Sequence, residues 1–211
     1  MTIACFLAYR AFGMTWFEAI VHSLTTMSTG GFSTSDSSFF LFSGPLEYVS
    51  AIFMVLASLP FIRYVQLISG NPQPLFRDVQ AQAYVRWLLY SVAVIVLYRL
   101  VNSDADFFTV LRETTFNVVT LFSGTGYGSA DVFAWGSFPF AVIIIVGLIG
   151  GCTASTGCSI KVFRWLVVLQ AIKAQVRRIR YPHIVFNAKL QGKPLDSDVI
   201  SSVAAFFVLF F

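Results

Sequence analysis

Long apolar runs alternate with short polar, glycine-rich ones along the whole chain. Runs long enough to cross a bilayer as a helix, about 20 residues, cover roughly Leu46 to Ser69, Ala83 to Val101 and Phe138 to Leu169. The third is longer than a bilayer requires, and it is interrupted. Two further apolar pieces, Met1 to Phe12 and Val199 to Phe211, are each too short to cross. Both read as spanning helices cut short, so the chain is expected to be an internal part of a larger membrane protein. Two semi-apolar segments, Thr15 to Met27 and Phe107 to Phe122, are helical in pattern but too short to span. Each runs into a glycine–hydroxyl stretch, which predicts re-entrant helices that enter the membrane and turn back. Asp104 and Asp106, just ahead of the second, suit a helix N-terminus.

The pattern repeats. One fixed shift places Glu18 on Glu113, Thr25 on Thr120, Ser28 on Ser123, Gly31 on Gly126, Phe32 on Tyr127 and Asp36 on Asp131. A proline-containing lead-in (Pro45, Pro139) and a spanning run follow each loop. The order is helix, short re-entrant helix, glycine loop, helix, twice over, and an internal repeat of this kind governs the whole fold.

Composition agrees with a bilayer protein. The 211 residues are 57% hydrophobic and 11% charged, where a soluble domain carries about 25% charged residues. Eight of the fourteen Lys and Arg fall between Lys161 and Lys193, and seven of the ten acids lie in Glu18–Glu47 or Asp104–Asp131. Cationic loops stay on the cytoplasmic side, so the asymmetry reports topology. It reads Lys173 to Arg180 as a membrane-surface segment rather than a nucleic-acid patch, and it faces both glycine loops outward. Arg63 is expected to snorkel to the cytoplasmic interface. Cys5, Cys152 and Cys158 make neither a disulfide framework nor a metal site and read as small packing residues. His22 and His183 form no ligand pair, and His22 reads as hydrogen-bonded packing on the first short helix.

Backbone at membrane depth must bond internally unless it lines water or is buried in protein. Carbonyls aimed at one axis can replace a cation's hydration shell, glycine permits the dihedrals that aim them, and Ser and Thr add hydroxyl oxygens. Taken alone, "STGGFST" also fits an exposed turn-rich loop. Two copies at equivalent positions favour ion coordination. Asp36 and Asp131 are then either ordinary loop carboxylates or acids that concentrate cations at an outer mouth.

"HSLTTMSTGGFSTSD", "FSGTGYGSAD" and "GGCTASTGCSIKVFR" resemble the Trk/Ktr/HKT superfamily of potassium uptake proteins, most closely the bacterial TrkH branch. The resemblance implies an all-α integral membrane fold of four helix–pore-loop–helix repeats around one pore. It assigns residues 1–69 to the second repeat, 70–82 to a cytoplasmic linker and 83–176 to the third repeat. Residues 177–196 become a basic cytoplasmic linker, and 197–211 the start of the fourth repeat. It implies a potassium selectivity filter of Ser28, Thr29, Gly30 and Gly31 with Ser123, Gly124, Thr125 and Gly126. A one-residue slip would make Gly30 the partner of Gly126; Gly31 is preferred because it also matches Phe32 with Tyr127 and Asp36 with Asp131.

The stretch Gly147 to Arg164 breaks the third apolar run with four glycines and four Ser or Thr by Ser159. Such residues disfavour a regular helix, leaving either an unwound segment or close helix packing. The resemblance selects the first, an intramembrane gating loop carrying Gly150, Gly151, Thr153, Ser155, Thr156 and Gly157. Cys158-Ser159 stands where the family often has a small pair such as Gly-Gly. Lys161 and Arg164 then either anchor the cytoplasmic end or couple the gate to a regulator. The implied partners are a second copy in a homodimer, a cytosolic TrkA-like nucleotide-binding subunit and the lipid bilayer, with no nucleic acid. The implied location is the bacterial inner membrane, crossed several times. The implied permeant ion is K+ with no organic cofactor. A sodium-conducting or cation-coupled (symport) relative, a non-transporting membrane scaffold, and an intramembrane enzyme using Ser155 or Thr156 are the alternatives. The last lacks a nearby base, and the chain is read as no enzyme.

Overall fold

The computed structural model describes residues 1–103, 105–181, 189–190 and 193–211. Its helices are α1 (Thr2–Ala11), α2 (Trp16–Met27), α3 (Pro45–Ser58), α4 (Phe61–Ile68), α5 (Gln73–Phe76), α6 (Val79–Asn102), α7 (Phe107–Ser123), α8 (Ser137–Leu148), α9 (Val162–Arg180) and α10 (Ser197–Phe210). Short 3-10 turns, Phe40–Phe42 and Val132–Trp135, precede α3 and α8. A small hairpin pairs β1 (Lys189–Leu190) with β2 (Lys193–Pro194). Asp104, His183 and parts of the predicted linker 177–196 lie outside the described residues.

Both predicted re-entrant helices form, and local chemistry sets where they start. Thr15 caps α2 in a reciprocal box with Glu18: the Glu18 N–H donates to Thr15 Oγ1, and the Thr15 N–H donates to Glu18 Oε2 at 2.8 Å. Hydrogen bonds from the Thr15 hydroxyl and backbone hold the Glu18 carboxyl below its ordinary range. Asp106 caps α7 by accepting from the Phe108 N–H. α7 packs against both α3 and α6, while α2 packs against α1 and α3. The second short helix is therefore the hub of the bundle.

Two ion pairs fix that hub. Arg112 Nε on α7 lies 2.8 Å from Glu47 Oε2 on α3, and Glu47 is only 1% exposed. Arg99 on α6 reaches Glu113 at 2.8 Å, donates to Thr114 Oγ1 at 3.1 Å and stacks over Trp135. Arg63 pairs with Asp78 at 2.8 Å. Asp78 is buried and also caps α6 through the Gln80 and Ala81 N–H groups.

The three predicted spans are realised differently from one another. Among the described residues, α6 alone is a single helix long and apolar enough to cross a bilayer. The run 46–69 breaks at Leu59-Pro60, and α3 and α4 meet at 94°. The cause is local: proline drives the residue before it into extended backbone, and Leu59 has φ −84° and ψ 159°. The run 138–169 splits into α8 and α9 around residues 149–161, the unwound one of the two outcomes its glycine and hydroxyl content left open.

Candidate functional site

Three irregular segments meet: the loop after α2, the loop after α7, and residues 149–161 beneath them. The two upper loops follow one backbone course under the shift found in the sequence. Thr29 (φ 52°) matches Gly124 (φ 78°), and Gly31 (φ 69°) matches Gly126 (φ 89°). The Gly30 N–H donates to the Thr25 carbonyl at 2.8 Å, and the Thr125 N–H donates to the Thr120 carbonyl at 2.8 Å. Gly30 is not in the left-handed region, so the backbone pairs Gly31, and not Gly30, with Gly126.

The loops touch. A Cβ added to Gly31 would lie 2.0 Å from the Thr125 carbonyl oxygen, whereas one added to Gly126 meets open space. Gly31 is thus required twice over, by its left-handed φ and by the approach of the neighbouring backbone. Among the described residues, no hydrogen bond reaches the carbonyl oxygens of Thr29, Gly30, Gly31, Gly124, Thr125 or Gly126. Those six acceptors stand at the C-terminal ends of α2 and α7, where helix dipoles add negative potential. The arrangement offers a small cation several peptide oxygens that the protein itself leaves unused. Ser123 is buried and bridges to Thr125 Oγ1 at 2.7 Å; Ser28 is exposed.

The lower segment closes the space beneath. The Cys158 N–H donates to the Ser123 carbonyl at 3.2 Å, and Thr156 Oγ1 donates to the Met27 carbonyl at 3.1 Å, so the segment holds the end of each short helix. Thr29 Oγ1 donates to the Thr156 carbonyl at 2.9 Å. On the far side the Cys152 and Thr156 N–H groups donate to the Ser58 and Ala57 carbonyls, and the Phe61 N–H to the Ala154 carbonyl. The helix break at Leu59-Pro60 frees those groups. The Thr153 N–H donates to Gln80 Oε1. Gly150 and Gly151 let the two arms of the segment cross: a Cβ on Gly150 would lie 1.7 Å from the Cys158 carbonyl oxygen.

Every predicted site residue of the two loops and of residues 150–157 lies in this one assembly. Lys161 is turned inward, with Nζ donating to the Ser155 carbonyl at 3.3 Å and to that of Gly157. Arg164 instead lies over the Phe206 ring of α10, 3.7 Å from its centroid. Ser155 Oγ donates to the Cys152 carbonyl at 2.6 Å, so the hydroxyls of Ser155 and Thr156 are spent on backbone. Cys152 is buried, as a packing role requires, but Cys158 is exposed beside Gly124 and does not pack in the interior. Asp131 caps the 3-10 turn through the Phe133 N–H, and Asp36 is exposed.

His22 is fully buried. Its Nδ1 lies 2.8 Å from the Glu18 carbonyl and its Nε2 3.1 Å from Ser33 Oγ, which is the hydrogen-bonded packing its sequence predicts. Sequence reasoning missed the groups that bind one loop to the other. Tyr127 OH lies 2.5 Å from Thr25 Oγ1, and the Phe39 N–H donates to the Gly128 carbonyl. Nothing within either loop marks these partners, because they are about a hundred residues apart.

Comparison with known proteins gives a consistent result. The family described as TrkH, cation transport protein, matches residues 93–211. The Trk system potassium uptake protein TrkI of Halomonas elongata is 34% identical over all of this chain and 43% of its own length. The potassium uptake protein TrkH of Escherichia coli K12 is 29% identical over 98% of this chain and 44% of its own. The crystal structure of the potassium transporter TrkH from Vibrio parahaemolyticus superposes with a TM-score of 0.94 at 27% identity, covering 98% of this chain and 45% of that one. The chain therefore spans less than half the length of these relatives.

Proposed function

The chain belongs to the TrkH family of cation transport proteins, and from that premise we propose that it forms part of a bacterial inner-membrane potassium uptake channel or transporter. In this reading the carbonyls of Thr29, Gly30, Gly31, Gly124, Thr125 and Gly126, with the hydroxyls of Ser28 and Ser123 nearby, form part of a filter that replaces the water around K+. Residues 149–161 are the gate, seated against both short helices, with Lys161 bracing it from the cytoplasmic side and Arg164 meeting α10. Residues 1–69 and 83–176 are two pore units joined by a cytoplasmic linker at 70–82. A second linker at 177–196 leads to a further unit beginning at 197. The remaining units, a homodimeric partner and a cytosolic TrkA-like nucleotide-binding regulator complete the assembly. The potassium uptake named for the relatives supports transport rather than enzymatic chemistry.

The observation that carries this reading is the convergence of two left-handed glycine loops with their carbonyls unbonded among the described residues. An inside-negative potential, worth about 2.3 kcal/mol per charge per 100 mV, then drives uptake. The test is potassium and sodium uptake by the full-length protein in a cell lacking its own potassium transport, wild type against Gly31→Ser and Gly126→Ala. Both variants are expected to lose preference for potassium; an unchanged preference in both removes the filter assignment.

A further inference from the structure

Beside the filter loops lies a chain of hydroxyls whose partners come from both pore units. Tyr127 follows Gly126, and only 2% of it is exposed. Its backbone N–H donates to Thr120 Oγ1 on its own helix α7 at 2.7 Å. Its ring packs against Phe39 and His22, at centroid distances of 5.1 and 6.0 Å. Its hydroxyl crosses to the other unit, 2.5 Å from Thr25 Oγ1 and 3.4 Å from Thr26 Oγ1 on α2. Tyr9 OH, on α1, lies 2.8 Å from Thr26 Oγ1.

Thr25 Oγ1 lies 2.9 Å from the Phe32 carbonyl, as well as 3.0 and 3.3 Å from the Val21 and His22 carbonyls of its own helix. Tyr127 OH, 2.5 Å from Thr25 Oγ1, therefore meets a side chain that touches the other loop at Phe32. These contacts link the residue after Gly126 to the residue after Gly31, at equivalent positions of the two loops. The join is one-sided, because Phe32, the counterpart of Tyr127, has no hydroxyl and is 73% exposed.

We propose that Tyr127 and Thr25 are positioning residues that set the separation of the two filter loops and thereby the preference for potassium over the smaller sodium ion. This rests on the filter reading above. On the size-fit account of selectivity, a carbonyl cage rejects sodium when its oxygens are kept from closing on the smaller ion. A side chain anchored at both ends, one residue from Gly126, supplies that restraint. Removing the Tyr127 hydroxyl should not unfold the site. Thr25 still has backbone carbonyls to donate to, and Thr26 still has Tyr9.

The experiment uses the full-length protein in cells without other potassium transport, with potassium and sodium uptake measured from mixtures. Tyr127→Phe and Thr25→Val are each expected to lower the potassium-to-sodium ratio about fivefold, with no further loss in the double variant because the two act as one unit. Thr25→Ser, which keeps the hydroxyl, is expected to keep the wild-type ratio. Thermal midpoints of the purified variants should stay close to wild type, separating this role from general destabilisation. An unchanged ratio in Tyr127→Phe, or additive losses in the double variant, overturns the proposal. If Gly126→Ala lowers the ratio while Tyr127→Phe does not, only the positioning role fails. If neither does, the filter reading fails with it.

Discussion

At the first left-handed position the loop after α2 carries Thr29, and the loop after α7 carries Gly124. One backbone course is thus met by opposite choices of side chain. A β-branched residue at positive φ is strained by about 1–2 kcal/mol relative to glycine. Thr29 offsets that strain with its hydroxyl, which donates to the Thr156 carbonyl of the segment below. Gly124 carries no strain and no hydroxyl; its closeness to Cys158 does the equivalent work, since a Cβ there would lie 2.6 Å from the Cys158 Cβ. The first loop is held to the lower segment by side-chain hydroxyls, the second by steric fit together with the Cys158 N–H bond to the Ser123 carbonyl. Two loops built from the same repeat can therefore share a function and respond differently to the same mutation.

The comparison is broken most severely at the second left-handed position. Gly31→Ala combines an unfavourable φ with collision against the Thr125 carbonyl and is expected to destabilise by about 2–5 kcal/mol. Gly126→Ala meets open space and should cost only the dihedral strain, about 1–2 kcal/mol. Thermal unfolding of the two full-length variants checks this; equal losses would show that the loops are not as closely apposed as described. Next in size is Thr156→Val. It removes the donor to the Met27 carbonyl and leaves the Cys158–Ser123 bond intact. A loss of about 1 kcal/mol is expected, with increased resting cation flux, because only the first loop's anchor is released. The smallest effect is at Thr29. Thr29→Gly relieves strain while losing one hydrogen bond, so stability should stay within about 1 kcal/mol of wild type. Thr29→Val keeps the strain, loses the bond, and should be the less stable of the pair by thermal unfolding.

Each element that was legible in the sequence was legible for a local reason. Thr15 and Asp106 announce helix starts, and the starts lie where those side chains cap. The glycines that recur under one shift recur in the left-handed region. The bend at Leu59 was also written locally, in Pro60, yet the apolar run from Leu46 to Ser69 concealed it. Hydropathy measures transfer to lipid and is blind to a single proline. Lys161 reads as a cationic anchor by composition. In the fold it points at the Ser155 and Gly157 carbonyls, because the end of its own loop leaves those acceptors within reach.

From residues alone came the class of the protein, the two short helices, a preference for Gly31 over Gly30 as the partner of Gly126, and the unsuitability of 147–159 for a regular helix. Those depend on composition, periodicity and caps that act within a few turns of the chain. Packing across the chain is what brings Tyr127 to Thr25, Arg112 to Glu47, and the segment 149–161 against both short helices. These contacts join residues tens to more than a hundred positions apart. Their geometry is set by how helices pack around α7, which no local window of residues specifies.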